Sequence, residues 1–292
     1  MEQSNQTAGA APIPPPALTL RSVGDLLTST FDQLSTHLST ASFIVLPPAA
    51  CFAMVAAFAF VYPRIDVTSA LIEAIITLAG AVLSVFAAIG IMQEMKFGWT
   101  LSAPAAYQAA RPYFWSIIWV SLLTMFIVVG GAVLLIIPGI IFGILLAFSR
   151  FAVVMDDARG LNALSFSQAL VRDLWFAVFF RMLVMGIIIG VVSFIASKIP
   201  YVDILLPFFS IPFSIIYMVL LYNDLKAKKG ITVSATAGKN RSFYITFIVI
   251  GAIAIPVILA LIGYVLLSFA MMNAVPMGIG GVAMDLPPMP RY

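Results

Sequence analysis

The sequence predicts an all-α, polytopic helical membrane protein with about seven transmembrane helices arranged in hairpin pairs. The 292 residues are 62% hydrophobic and only 9% charged, with a mean hydropathy of +1.10, whereas soluble domains carry about 25% charged residues. The apolar residues also form several separate runs long enough to cross a bilayer, which takes roughly 20 helical residues. Closed β-barrels, the other architecture that satisfies the backbone in lipid, do not fit runs of this length.

The N-terminal part combines a tail, a surface helix and two crossings. Residues 1–20 are polar and then rich in alanine and proline, so we expect a disordered tail. From Ser22 to Ser39 apolar residues recur at helical spacing among polar ones, which predicts an amphipathic interfacial helix. Crossings one and two are predicted at about Ala41–Tyr62 and Ala70–Gln93.

The centre of the chain is an apolar run from Trp115 to Met155 that Pro138 and Gly139 interrupt once. Forty residues are too many for one crossing and about right for two. Proline removes a helix donor and glycine tolerates a tight reversal, so we predict a transmembrane hairpin that turns at Pro138-Gly139. Crossings three and four then span about Tyr113–Ile137 and Gly139–Met155, and a second interfacial helix at 102–112 precedes them.

The C-terminal part repeats this order. A third mixed helix is predicted at 161–174, and the crossings that follow are, in order, Trp175–Ser197, Ile204–Tyr222 and, after a basic segment, Tyr244–Met271. The tail 273–292 is rich in glycine, proline and methionine, and we expect it to be disordered. The predicted division is a six-helix membrane domain at 21–230, followed by a basic loop and seventh helix at 231–272.

The distribution of basic residues predicts the orientation. With seven crossings, twelve lysines and arginines fall on the side that holds the N-terminus and three on the other. Lysine and arginine concentrate on the cytoplasmic side of membrane proteins, so we expect a cell-membrane protein with a cytoplasmic N-terminus and an external C-terminus. If the central run were a single crossing, the basic loops flanking it would face opposite sides, which supports the predicted reversal.

The sequence offers little chemistry. Cys51 is the only cysteine, which excludes an intramolecular disulfide, and His37 is the only histidine, which excludes a histidine-rich metal site or a histidine-based triad. We therefore predict no catalytic, cofactor-binding or metal-binding residues. The net charge of +3 is explained by the orientation bias and does not require a nucleic-acid partner.

One polar cluster is a candidate site at the cytoplasmic end of the central hairpin. Its members are charged residues that follow or flank crossings four and five: Arg150, Asp156, Asp157, Arg172 and Arg181. Arg150 and Asp157 are seven residues apart and would share a helix face, so the cluster could hold a phospholipid headgroup or pin the two crossings together. The alternative is that the arginines extend towards the membrane surface and that the two aspartates merely end the helix.

Two further patterns concern the crossings themselves. No charged residue lies in the middle of a predicted crossing, which argues against proton- or ion-coupled transport. Gly130-Gly131 and the GxxxG pair Gly186 and Gly190 are compatible with close helix packing.

The central hairpin also carries a family resemblance. The segment LLIIPGIIFGILLAFSRFAVVMDD, the later LNALSFSQALVRDLWFAVFF and the ending LYNDLKAKKG resemble the YciC-type bacterial membrane proteins and the membrane domain of some glycerophosphoryl diester phosphodiesterases. The similarity covers roughly residues 21 to 230. The chain departs from the family in the segment around Gln168 and Arg172 and in its seventh crossing. The resemblance implies the membrane fold and lipid-related work, without the catalytic domain of the phosphodiesterases.

Three functions follow as hypotheses. The leading one is a non-enzymatic multi-pass membrane protein that organises membrane lipids or partner proteins, and the chain could form a homo-oligomer. The second is a transporter or channel for a lipid-like or apolar solute, which requires a groove lined with polar groups. The third, an intramembrane enzyme, is disfavoured because the crossings contain no histidine and no carboxylate in their middle.

Overall fold

The computed structural model describes residues 20–61, 66–199, 202–236 and 241–274, and the regular structure in these ranges is helical, without a strand. Seven helical segments of this part are long and apolar enough to span a membrane, so the predicted fold class and number of crossings are confirmed. The predicted tails lie almost wholly outside the described residues. The α-helices in chain order are α1 Val23–Thr36, α2 Leu38–Val61, α3 Val67–Phe97, α4 Ala103–Leu134, α5 Ile136–Leu145, α6 Ser149–Met155, α7 Leu161–Val171, α8 Trp175–Ala196, α9 Val202–Lys229, α10 Val233–Thr236 and α11 Arg241–Ala274.

The predicted surface helix is present as α1, and it packs against α9. Ser22 begins it with a capping box in which the Ser22 hydroxyl accepts from the Asp25 N–H and the Asp25 carboxylate accepts from the Ser22 N–H. Leu26 and Leu34, on one face of the helix, are buried. The amphipathic pattern therefore serves packing on a neighbouring crossing.

The first crossing, α2, continues through Pro47 and Pro48. Pro48 has no N–H to donate to the carbonyl of Ile44, four residues earlier. The Tyr107 hydroxyl of α4 donates to that carbonyl at 2.8 Å instead. A side chain from another crossing thus satisfies the backbone group that the proline leaves free, as lipid requires.

The predicted separate helix at 102–112 is not present as such, because these residues form the first third of the continuous helix α4. Pro104 lies in the first turn, where proline favours a helix start. Pro112 lies within the helix and removes one hydrogen bond without ending it, a tolerance that is common in membrane helices. α4 therefore extends beyond the predicted start of crossing three.

The central hairpin is present, but its turn was predicted three residues too late. The chain reverses at Leu135, whose extended backbone (φ −158°, ψ 140°) separates α4 from α5. Pro138 and Gly139 lie inside the first turns of α5, where the missing proline N–H has no helical partner to lose. Gly139 is required for packing rather than for turning, because a Cβ there would lie 2.7 Å from the Ala132 Cβ of α4.

The seventh crossing packs on the third. α11 and α4 approach so closely at Gly130 and Gly251 that a Cβ on either residue would overlap the backbone of the other helix. The predicted packing role of Gly130 is therefore confirmed. At Gly186 and Gly190 a Cβ would meet no atom within 4 Å among the described residues, so the GxxxG pair makes no close helix contact in this part of the chain.

Candidate functional site

The predicted cluster is divided among separate partners. Asp156 accepts hydrogen bonds from the Tyr222 hydroxyl and the Lys226 ammonium of α9. Asp157 accepts from the Tyr113 hydroxyl at 2.7 Å. These contacts join the end of α6 to α9 and α4, so they link crossing four to crossings six and three rather than to crossing five, as one reading of the cluster predicted.

The predicted pair of Arg150 with Asp157 is wrong. α6 ends at Met155, and Asp157 has left-handed backbone with φ 54°. The helix spacing that would place the two side chains on one face therefore does not extend to Asp157. Asp157 lies instead 3.6 Å from the ammonium of Lys96 on α3.

Arg181 secures the N-terminal segment. Its guanidinium donates to the Arg21 carbonyl at 2.7 Å and to the Ala177 carbonyl of its own helix at 3.0 Å. The Arg21 side chain donates in turn to both carboxylate oxygens of Asp224 on α9, at 2.7 and 2.9 Å. This hydrogen bond raises the pKa of Arg21 above its ordinary value. Arg181 is thus structural, and Arg172 is exposed in the short 3-10 turn that precedes α8.

Arg150 lies apart from these contacts, on the wall of a cavity of about 800 Å³. This volume is within the range of small-molecule sites, about 300–1,000 Å³. Residues of α3, α4, α5, α6, α8 and α9 line the cavity. Among the described residues, Arg150 is the one charged side chain of a lining that is otherwise largely apolar and includes Met92, Met125, Met182, Met218 and Phe151.

Three hydroxyl side chains also line the cavity: Ser121, Thr124 and Ser214. The Thr124 hydroxyl donates to the Val120 carbonyl and lies 3.2 Å from the Ser149 hydroxyl. Ser121 and Thr124 are three residues apart and share a helix face, a signal that the sequence carried and that the predictions missed.

The distance of Arg150 from the turn of the hairpin indicates its depth in the membrane. Leu135 closes the hairpin, and Thr124 precedes it by eleven residues, or about 16 Å of helix at 1.5 Å per residue. A bilayer core is about 30 Å thick, so Thr124 lies near its middle when the turn is at one boundary. Ser149 lies beside Thr124, and Arg150 follows it. With the turn at that boundary, Arg150 would lie near the middle of crossing four, where the sequence predicted no charged residue.

Crossing four is broken at the same level. Residues 146–148 are not helical and separate α5 from α6. The buried Ser167 hydroxyl of α7 donates to the Leu145 carbonyl at 2.7 Å and accepts from the Phe148 N–H at 3.1 Å. Non-helical backbone is tolerated at membrane depth where protein surrounds it or where it lines a cavity, and Leu146 and Ala147 line this one.

An unpaired arginine in a membrane helix is energetically costly, and this cost points to a ligand. An arginine at the centre of a membrane helix costs about 2.5–3.5 kcal/mol on insertion scales. Arg150 is exposed, and none of the described residues forms an ion pair or hydrogen bond with its guanidinium. Its five N–H donors are therefore unpaired among the described residues, on the wall of a largely apolar cavity. This is a geometry that a bound anion would satisfy.

One charged residue of α3 is buried. The side chain of Glu94 has no exposed surface. One carboxylate oxygen accepts from the Leu101 N–H at 3.2 Å, and the other has no hydrogen-bond partner among the described residues. Glu94 is absent from the lining of the Arg150 cavity, so it belongs to the packing of the α3–α4 connection.

The fold and the cavity define a class, a multi-pass helical membrane protein with an intramembrane cavity. Comparison of the chain with protein-family models, curated proteins and solved structures finds no match. The functional argument therefore stands on the geometry of the cavity.

Proposed function

We propose that the chain is a non-enzymatic, multi-pass protein of the cell membrane that binds membrane lipid in the Arg150 cavity. The observation that carries the proposal is the combination of volume and lining, about 800 Å³ with apolar walls and one arginine. Lipids are amphiphiles at high concentration around every crossing, so a cavity of this kind meets them before any other ligand. Binding there would organise lipid around α4, α8 and α9.

The proposal includes the orientation and the family. The excess of basic residues on the N-terminal side supports a cytoplasmic N-terminus. The motifs of the central hairpin support membership of the YciC-type family, whose fusion to phosphodiesterases points to lipid-related work. Partner proteins and homo-oligomers belong to the same proposal, since the GxxxG face of α8 is open in the described chain.

The test fills the cavity without disturbing the fold. Gly143 lines the cavity, and a Cβ at this position would meet no atom within 4 Å among the described residues. We expect Gly143→Leu to leave the protein folded and to reduce the lipid that co-purifies with it. Gly263→Leu is the matched control, because Gly263 on α11 is equally open but lies outside the cavity lining and outside the GxxxG face.

Native mass spectrometry of the protein extracted with its lipids provides the measurement, and it also reports the oligomeric state. Equal lipid occupancy in the wild type and in Gly143→Leu would refute lipid binding in this cavity.

A second candidate function is transport of a lipid-like solute. The break in crossing four favours it, because discontinuous helices near the bilayer midplane form the substrate sites of many transporters. The test is movement of fluorescent lipid between leaflets of vesicles that contain the purified protein. Movement above that of protein-free vesicles, lost in Gly143→Leu, would favour transport over static binding.

A further inference from the structure

We infer that the cavity takes an anionic amphiphile, which places a phosphate or carboxylate on the Arg150 guanidinium and its acyl chain along the apolar wall. This inference rests on the proposed function and adds the chemical class of the ligand. It differs from the predicted surface cluster, because the headgroup would lie within the membrane and would contact a single charged residue.

The first argument is that Arg150 has no counter-charge among the described residues. The two aspartates that follow α6 and the aspartate near the end of α9 already have cationic partners: Asp156 pairs with Lys226, Asp157 with Lys96 and Asp224 with Arg21. The remaining charge in the cavity is therefore positive, and a neutral or cationic ligand would leave it uncompensated.

The second argument concerns hydrogen-bond donors. The Thr124 and Ser214 hydroxyls donate to carbonyls of their own helices, at 2.8 and 2.5 Å. Their protons are therefore engaged, whereas the Arg150 guanidinium is free among the described residues. Guanidinium binds phosphate and carboxylate through two parallel hydrogen bonds, so the strongest donor in the cavity is also the one that selects for an anion.

The third argument concerns shape. The lining next to Arg150 is apolar and includes Met125 on α4 and Met182 on α8. Methionine side chains adapt to ligands of variable shape, which suits acyl chains of different length. A free inorganic anion would satisfy Arg150 but would leave this apolar volume unfilled. An amphiphile satisfies both parts of the cavity, and we therefore assign the site to a lipid.

The experiment compares two lipids that share one acyl chain. Purified full-length protein in neutral detergent is titrated with lysophosphatidic acid or with lysophosphatidylcholine, and binding is read by native mass spectrometry. We expect the wild type to bind the anionic lipid at least about tenfold more tightly, since a choline group would place a second cation beside Arg150. Palmitate extends the test to carboxylates. Inorganic phosphate tests whether a free anion is sufficient, and we expect it not to displace the lipid at equal concentration.

Arg150→Leu should reduce the preference for the anionic lipid to within about twofold, whereas Arg150→Lys, which keeps the charge, should retain part of it. Arg172→Leu is the matched control, because Arg172 is exposed outside the cavity lining and its loss should leave the preference unchanged. A preference that survives Arg150→Leu, or that is lost in Arg172→Leu, would overturn the inference.

The two proposals fail in different ways. If Gly143→Leu weakens the binding of both lysolipids while the charge preference survives Arg150→Leu, lipid binding stands and only the headgroup assignment is wrong. If Gly143→Leu leaves both lysolipids bound as in the wild type, the cavity is not the lipid site and both proposals fail.

Discussion

Two glycines of the same helix should respond in opposite ways to the same substitution. Gly139 and Gly143 both lie in α5, and replacing glycine by alanine within a helix gains about 0.8–1 kcal/mol in helix propensity. At Gly143 the added methyl group enters open space, so we expect Gly143→Ala to raise the free energy of unfolding by up to about 1 kcal/mol.

At Gly139 the same methyl group would lie 2.8 Å from the Cα and 2.9 Å from the backbone nitrogen of Ala132. Backbone cannot move aside as a flexible side chain does, and overpacking of this kind costs about 1–3 kcal/mol. Gly139→Ala should therefore be neutral to about 2 kcal/mol destabilising, and less stable than Gly143→Ala in any case. Unfolding by sodium dodecyl sulfate in mixed micelles, followed by tryptophan fluorescence, measures the difference.

The asparagine variant separates packing from turning. If Gly139 were the turn residue, Gly139→Asn would be tolerated better than Gly139→Ala, because asparagine accepts left-handed backbone more readily. If Gly139 is a packing residue, the larger asparagine side chain should be at least as damaging as alanine. Equal stability of Gly139→Ala and Gly143→Ala, or rescue by Gly139→Asn, would refute the packing argument.

Two further predictions concern crossing four and the orientation. Ser167→Ala removes both hydrogen bonds to the break between α5 and α6 and leaves a buried N–H and a buried carbonyl unpaired. Each unpaired buried group costs about 1–3 kcal/mol, so the free energy of unfolding should fall by more than in the exposed control Ser197→Ala. Equal losses in the two variants would contradict the bridging role of Ser167. A reporter that is active only in the cytoplasm, fused after Tyr292, should be inactive, and an active fusion would contradict either the seventh crossing or the charge-based orientation.

The sequence predicted the number of crossings because hydropathy and run length suffice for that purpose in lipid. It located the central reversal only to within three residues. The strongest local signal, Pro138-Gly139, marks the start of a helix and a close approach to α4 rather than the turn itself. The turn residue, Leu135, is apolar like its neighbours and carries no composition signal, so the position of the reversal depends on how α4 and α5 pack.

The site was predictable in part. Charge alone identified Arg150 as a candidate, but its assumed partner depended on helix geometry continuing through Asp157, and the left-handed backbone at that residue ends it. The pairs that do form, such as Arg21 with Asp224, join residues 203 positions apart. Pairing of this kind depends on which crossings are neighbours, and a single sequence does not contain that information.

Two costly features of this molecule occur at one depth, on the wall of one cavity. The break in crossing four interrupts helical hydrogen bonds that Ser167 must replace, and next to it Arg150 places a charge that has no partner among the described residues. We expect a protein that only needed crossing four as a spacer to be more stable with a continuous helix and an apolar residue at 150. Gly143 also keeps open a space that a larger side chain would fill. Since packing alone favours none of these features, their coincidence supports a binding cavity over an accidental gap between helices.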